Sequence, residues 1–283
     1  TNDVSLLTFV PFTFVVLSRL GANVRRSLLI PVVCMQTIAA NLGSMLTPIG
    51  NPQNLYLYGK SGMSIGGFVL LMLPYTLVSL LLLLAWAALV CRKASAALSV
   101  DELVSSSASQ GDQRIILLYL VLFAVCLLSV IRVLPYGIAF AAVLVCALFA
   151  DPRTLRTVDY SLLLTFVAFF IFIGNLGRIP AFSGWLQEFL TGREVLVAVL
   201  ASQVTSNVPA ALLLSGFTAE TQALIIGTNL GGLGTLIASM ASLISYRQIA
   251  RELPQGKKQY FGLFTLSNLI FLALLLGVWF LLR

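Results

Sequence analysis

The sequence predicts an all-α integral membrane protein made of two similar units, each with a re-entrant hairpin and a broken transmembrane helix. Three observations carry this reading. Of the 283 residues, 59% are hydrophobic and 10% are charged, with mean hydropathy +1.00, whereas a soluble domain has about 45–50% and about 25%. In the middle of this apolar chain stands a polar, helix-breaking stretch, NLGSMLTPIGNPQN at residues 41–54. A related stretch, NLGGLGTLIASMAS at residues 229–242, repeats Asn-Leu-Gly and places Thr235 where the first has Thr47, at a constant offset of 188. Backbone groups freed by such a break are tolerated at membrane depth only where they are buried in protein or line a cavity. Both stretches are therefore candidate binding segments. A duplicated pair of interrupted apolar segments is the sequence pointer to an inverted-repeat secondary transporter with its site near the midplane.

Composition and charge exclude other classes. The net charge of +7 comes from 17 Lys and Arg against 10 Asp and Glu, scattered between apolar runs without a basic cluster. It reads as loop charge that orients the chain in a lipid bilayer, not as a nucleic-acid surface. Cys34, Cys91, Cys126 and Cys146 stand singly without CxxC spacing, as packing residues do. There is no histidine, no paired-carboxylate motif and no Gly-x-Ser-x-Gly element. An intramembrane enzyme is the weaker alternative, and no catalytic residue and no cofactor is expected, apart from sodium or a proton as coupling ion.

The first unit opens on a polar knot, Thr1-Asn2-Asp3, and an apolar arm at residues 4–17. A span needs about 20 apolar residues, so the arm reads as one limb of a hairpin with the knot at its tip. Residues 27–58 are a crossing interrupted at 41–54, where Pro48, Gly50 and Pro52 are incompatible with a continuous helix. Residues 68–90 form a plain helix ended by Arg92-Lys93. The Ser-rich segment 94–113 is the linker.

In the second unit, residues 115–131, 138–150 and 162–176 are three spans, separated by a Pro135-Tyr136-Gly137 turn and a charged loop at 151–159. Residues 181–193 mix Trp185, Leu186, Phe189 and Leu190 with Gln187 and Glu188, as an interfacial helix does. The arms 195–205 and 210–217 flank Ser206-Asn207-Val208-Pro209 and are each too short to cross, which makes a second hairpin. Residues 221–246 are the second broken crossing and 260–282 the closing helix. The domain boundaries are thus residues 1–93 for the later part of the first repeat, 94–113 for a cytoplasmic linker, and 114–283 for the second repeat. The first repeat begins at its tip, so the sequence is expected to be part of an assembly with three further spans and a hairpin limb, upstream or on a separate chain.

Charge sets the orientation. With the loop at residues 19–26 in the cytoplasm, twelve Lys and Arg fall inside and five outside, as the positive-inside rule requires. The loops at 19–26, 91–114, 151–159 and 247–258 are then cytoplasmic, and the two units have opposite orientation. Tyr56, Tyr58, Trp86 and Trp279 read as interfacial belt residues. Gly43, Gly231, Gly232 and Gly234 have a second reading, in which small residues allow helices to pack closely.

Thr/Ser-Asn at a hairpin tip, followed by N-L-G-x-x-x-T-P-I-G-N-P-x-N in a broken helix, resembles the ion transporter superfamily over essentially the whole chain. That superfamily includes divalent-anion/sodium symporters, citrate permeases, arsenite permeases and sodium/proton antiporters. The resemblance implies a homodimer with an elevator-like movement that carries a small anion in symport with sodium or protons, or exchanges sodium for protons. It implies substrate or ion contacts at Thr1, Asn2, Asn41, Gly43, Thr47, Gly50, Asn51, Pro52 and Asn54, and at Ser206, Asn207, Pro209, Asn229, Gly231 and Thr235. Asp3 stands where the dicarboxylate carriers resemble Ser-Asn-Thr, which is similar to the arsenite-permease and antiporter branches.

The chemistry is consistent with these roles. Asn and Thr oxygens with unwound carbonyls suit sodium, here at Asn2, Asp3, Asn41, Asn207 and Asn229. Amides at half-helix N-termini suit an anion. An acid at membrane depth is by default a functional residue, so Asp3 is expected to carry the coupling ion. Its other reading is an N-cap for the arm that follows.

Overall fold

Proline, glycine and asparagine decide where the apolar runs become helices and where they stop. The computed structural model describes residues 1–20, 22–95, 113–150 and 160–283, with Pro152, Leu155 and Val158 between them. The described elements are α1 (Asn2–Ser18), α2 (Ala22–Ser44), a 3₁₀ turn (Pro48–Gly50), α3 (Pro52–Ser61), α4 (Ile65–Ser95), α5 (Gln113–Val130) and α6 (Tyr136–Ala150). They continue with α7 (Tyr160–Leu176), α8 (Pro180–Leu190), α9 (Glu194–Thr205), α10 (Asn207–Leu214), α11 (Thr221–Leu230), α12 (Met240–Glu252), a 3₁₀ turn (Pro254–Gly256) and α13 (Lys257–Leu282). Pro52 and Pro180 open α3 and α8 at positions where an amide hydrogen has no helical partner. Gly62, at φ +67°, ends α3 in the left-handed region that glycine adopts at low cost. Most of the linker at 94–113 and of the loop at 151–159 lies outside the described residues.

Among the described residues, four stretches are long and apolar enough to cross a membrane: Ser27–Ser44, Ile65–Arg92, Gln113–Val130 and Pro254–Leu282. A fifth is added if Leu163–Leu176 and Pro180–Leu190, bent by 100°, form one span. The interfacial helix expected at 181–193 is α8, which is set at 100° to α7. It keeps an amphipathic face, with Leu186 and Leu190 buried and the exposed rings of Trp185 and Phe189 stacked at 5.6 Å. The span expected at 138–150 is α6, which has 15 residues. At 1.5 Å per residue it covers about 22 Å of a hydrocarbon core about 30 Å thick.

The described chain packs as two compact units, residues 1–103 with 169–283, and residues 104–168. In the smaller unit α5 and α6 pair with each other and leave most of their large apolar side chains exposed, among them Leu117, Leu120 and Phe140. In the larger unit one apolar cluster joins Leu6, Val10 and Phe14 of α1 to Leu29, Ile30 and Val33 of α2. Ala241 and Ile249 of α12 and Tyr260 and Phe264 of α13 complete it. A buried hydroxyl set ties the same helices together: Thr37 Oγ1 donates to Ser245 Oγ at 2.8 Å and lies 3.3 Å from Tyr260 Oη. Of the rings expected in an interfacial belt, Tyr58 is buried and meets Phe68 edge-on, and Trp279 is buried beneath Arg283.

Helices on either side of the breaks exchange partners. α3, which follows the first break, packs on α10 and α11, while α12, which follows the second, packs on α1 and α2. Each post-break helix thus lies against the pre-break helix of the other half and the helix that follows that half's expected tip, and the exchange brings the two breaks face to face.

Candidate functional site

α2 stays helical through Asn41, Leu42 and Gly43 to Ser44, so the unwound part of the first break is residues 45–51 and not the Asn41–Gly43 carbonyls. Pro48 and Pro52 cannot donate amide hydrogens, and the chain folds back through the Pro48–Gly50 turn. At Gly50 a Cβ would collide with the Ser44 carbonyl, so only glycine allows this close return. The second break runs from Gly231 to Ser239 and passes through Gly234 at φ +105°. α3 begins at Pro52 and α12 at Met240, which is the same offset of 188 that relates the two motifs.

Polar side chains of the two breaks are hydrogen-bonded across the halves. Asn41 Oδ1 accepts from Ser239 Oγ at 3.0 Å, and Asn41 Nδ2 donates to Ser242 Oγ at 3.4 Å. Asn229 Oδ1 accepts from Asn51 Nδ2 at 3.5 Å, and Asn229 Nδ2 donates to Asn54 Oδ1 at 2.6 Å. Residues 41 and 229, 51 and 239, and 54 and 242 all differ by 188, so the two sets are copies of one arrangement. Asn51 and Ser239 are N-caps of α3 and α12, yet neither makes a side-chain capping bond. Residues of this type cap helices at a gain of about 1 kcal/mol, and here both side chains are instead turned to the opposite half.

The segments expected to be hairpin tips close onto these breaks. Asn2 Nδ2 donates to Asn41 Oδ1 at 3.1 Å. Ser206, between α9 and α10, has φ +74° and ψ 153°, a conformation that costs a non-glycine residue about 1–3 kcal/mol. The strained tip aims Asn207 N at Ala238 O, 2.9 Å away, and Ser206 Oγ at the same carbonyl at 3.4 Å. The Asn207 carboxamide also lies against Gly232, where a Cβ would come within 3.0 Å of its Nδ2.

The remaining expected site residues are placed less uniformly. Thr1, Gly43, Pro52 and Thr235 are exposed, and Asp3, Thr47 and Pro209 are half-buried. Thr47 presents its carbonyl to Gly50 N at 3.1 Å and to Asn54 Nδ2 at 3.5 Å. Gly231 is buried against α9, where a Cβ would come within 2.6 Å of Ser202 Oγ, so the close-packing reading describes its surroundings. Asp3 lies in the first turn of α1, whose N-cap is Thr1; it is not the cap, and its carboxylate sits at the positive end of the helix dipole. Of the residues expected to hold sodium, Asn2, Asp3 and Asn41 gather at one break and Asn207 and Asn229 at the other. Among the described residues no three His, Cys, Asp or Glu side chains gather as metal ligands. Amide and hydroxyl oxygens are what the breaks present, and such hard donors suit an alkali cation.

Two buried atoms at the first break make no protein hydrogen bond: Asn51 Oδ1, an acceptor, and Gln53 Nε2, a donor. Gln53 is 1% exposed. A buried orphan costs about 1–3 kcal/mol, and a ligand that supplies the missing partner recovers that energy. Gln53, Ser239, Ser242 and Gln203 were not among the residues expected from sequence. The offset of 188 applied to Asn51 and Asn54 points to the two serines, and Gln203 is marked as a polar residue in a short apolar limb.

The citrate transporter family profile matches residues 1–224, which include the first break and both hairpin tips. The chain is 36% identical over 258 residues to the inner membrane protein YbiR of Escherichia coli, covering 87% of this chain and 64% of that protein. It is 32% identical over 247 residues to an uncharacterised transporter of Methanocaldococcus jannaschii, covering 87% and 66%. It is 24% identical over 282 residues to a 46 kDa membrane protein of Mycobacterium leprae, covering 86% and 64%. The chain thus spans just under two thirds of the length of these relatives.

Proposed function

This chain belongs to the citrate transporter family of multi-span membrane transporters, not to an enzyme family, and on that premise we propose that it forms the solute-binding core of a secondary transporter. The solute is a small anion moved together with sodium or protons. Residues 1–93 and 114–283 act as inverted repeats joined by a cytoplasmic linker at 94–113, and the protein works as a homodimer.

The observation that carries this reading is the exchanged hydrogen bonding of Asn41 with Ser239 and Ser242, and of Asn229 with Asn51 and Asn54. A two-fold arrangement of broken helices at one locus is what alternating access about a fixed site requires. The anion is read from the Gln53 Nε2 donor and the start of α3, where amide hydrogens and the helix dipole favour negative charge. The cation is read from the amide oxygens around Asn2, Asp3 and Asn41.

A second reading, sodium/proton antiport, has one observation in its favour. Asp3 is half-buried beside the Asn2–Asn41 bond, a position from which a carboxylate exchanges a proton for sodium. Proteoliposomes holding the intact protein separate the two. Gradient-driven uptake of radiolabelled citrate, sulfate or arsenite supports the symporter. Sodium flux driven by a pH difference without anion uptake selects the antiporter. Loss of both in active-folded preparations overturns both.

A further inference from the structure

We propose that Gln203, on the ascending limb α9 of the second hairpin, is the positioning residue that fastens the second break to that hairpin. Its carboxamide nitrogen donates to Gly231 O at 3.0 Å and Leu233 O at 2.9 Å, and a third carbonyl, Val199 O of its own helix, lies at 3.2 Å. Its Oε1 accepts from Thr235 N at 2.9 Å, and its backbone carbonyl accepts from Thr235 Oγ1 at 3.2 Å. One side chain therefore serves three backbone groups within residues 231–235.

The need is physical. Where α11 ends, the carbonyls of Gly231 and Leu233 and the amide of Thr235 lose their helical partners, and at membrane depth each unsatisfied group costs several kcal/mol. A side chain that satisfies both kinds must donate twice and accept once, which a carboxamide does and a hydroxyl, ammonium or carboxylate does not. The backbone is shaped to receive it. A Cβ on Gly234 would collide with Gln203 Oε1, and Gly231 is pressed against the neighbouring Ser202.

The consequence is that α9 and residues 231–235 move as one element. The Asn229 and Asn207 amides are then presented on a backbone that is already rigid, as a precise binding constellation requires. Gln203 acts through this backbone and is not itself placed against a solute. The fastening stands on the hydrogen bonds alone; its effect on flux rests on the transport reading above.

Hydrogen–deuterium exchange on the intact purified protein reads the fastening without any solute. Gln203→Leu keeps the side-chain size and removes every carboxamide bond, so amides within residues 232–238 should exchange about ten-fold faster while α13 keeps its protection. Unchanged exchange in the folded variant overturns the proposal. Gln203→Glu supplies the second arm. The ionised acid accepts from Thr235 N but sets an oxygen against the Gly231 and Leu233 carbonyls, and protonation returns one donor. Exchange at 232–238 in this variant should slow toward wild type, after correction for intrinsic rates, as pH falls from about 8 to about 5.5. A corrected difference that does not change with pH overturns it. In proteoliposomes the flux of Gln203→Glu relative to wild type should rise about ten-fold over the same range. Absence of flux in the wild type itself sinks the transport reading and leaves the exchange result standing.

Discussion

The carboxamides of Asn229 and Asn54 meet at 2.6 Å across the two halves of the chain, and the corresponding pair in the other half, Asn41 and Ser242, meets at 3.4 Å. The two contacts are copies of one arrangement, yet one is short and the other is near the limit of a hydrogen bond. Interhelical bonds in membranes contribute about 0.6 kcal/mol on average and up to about 1.7. Asn54→Ala should therefore cost about 1 kcal/mol of stability, and Ser242→Ala less. Both should cut solute uptake at least about ten-fold, because each leaves a site asparagine free to rotate. Thermal unfolding in detergent and initial uptake rates check the two parts separately, and wild-type uptake by both variants removes the exchanged contacts from the site.

Gln53 offers a test in which stability and function move in opposite directions. Its Nε2 is buried without a protein partner, so Gln53→Leu removes an orphan of similar volume and should stabilise the solute-free protein by about 1 kcal/mol. The same variant should bind the solute about ten-fold more weakly, since a donor to the anion is lost. Binding measured by calorimetry beside a melting curve decides it. A destabilised variant with unchanged affinity would make Gln53 an ordinary packing residue.

Two buried glycines of the second unit should respond alike. A Cβ at Gly231 meets Ser202 Oγ at 2.6 Å and Gly227 O at 2.8 Å. Gly231→Ala should destabilise by about 1–3 kcal/mol, the range for overpacking. Gly227→Ala should behave in the same way, because a Cβ there meets Ala198 Cβ at 2.7 Å. Melting temperatures of the two variants give the answer.

Asp3 is in the first turn of α1 next to Asn2, which is bonded to Asn41. Asp3→Asn keeps the size and removes the charge. If the carboxylate carries the coupling ion, this variant should lose gradient-driven accumulation while still exchanging solute down its gradient. Since Thr1, not Asp3, is the N-cap, its stability should fall by no more than about 0.3–1 kcal/mol from the lost dipole interaction. Accumulation at the wild-type level, with unchanged sodium and pH dependence, would leave Asp3 a helix-end charge.

Much of this site was legible because its signals are local. Length and hydropathy marked the four stretches able to cross a membrane, and Pro48, Pro52 and the paired Asn-Leu-Gly motifs marked both breaks within a few residues. The short arms expected around Ser206 are the helices α9 and α10, which meet at its positive φ. The misreadings were also local in origin. Asn41–Gly43 were expected to be unwound because the motif begins there, but a helix ends where its last amides fail, which is after Ser44. Tyr58 was read as a belt ring, and the packing of α3 turns it inward against Phe68.

By itself, then, the sequence determined the membrane class, the order of helices and breaks, and the residue types available at each break, since these follow from hydropathy, chain length and the backbone limits of proline and glycine. Only the tertiary structure decided which amide faces which. Asn51 and Ser239 have the chemistry of caps, and nothing nearby in the chain says that they forgo capping for partners 178 and 198 residues away. The same holds for Gln203, whose acceptors lie 28 and 30 residues further on. Such pairings depend on how helices cross, and a crossing is set by the packing of whole faces.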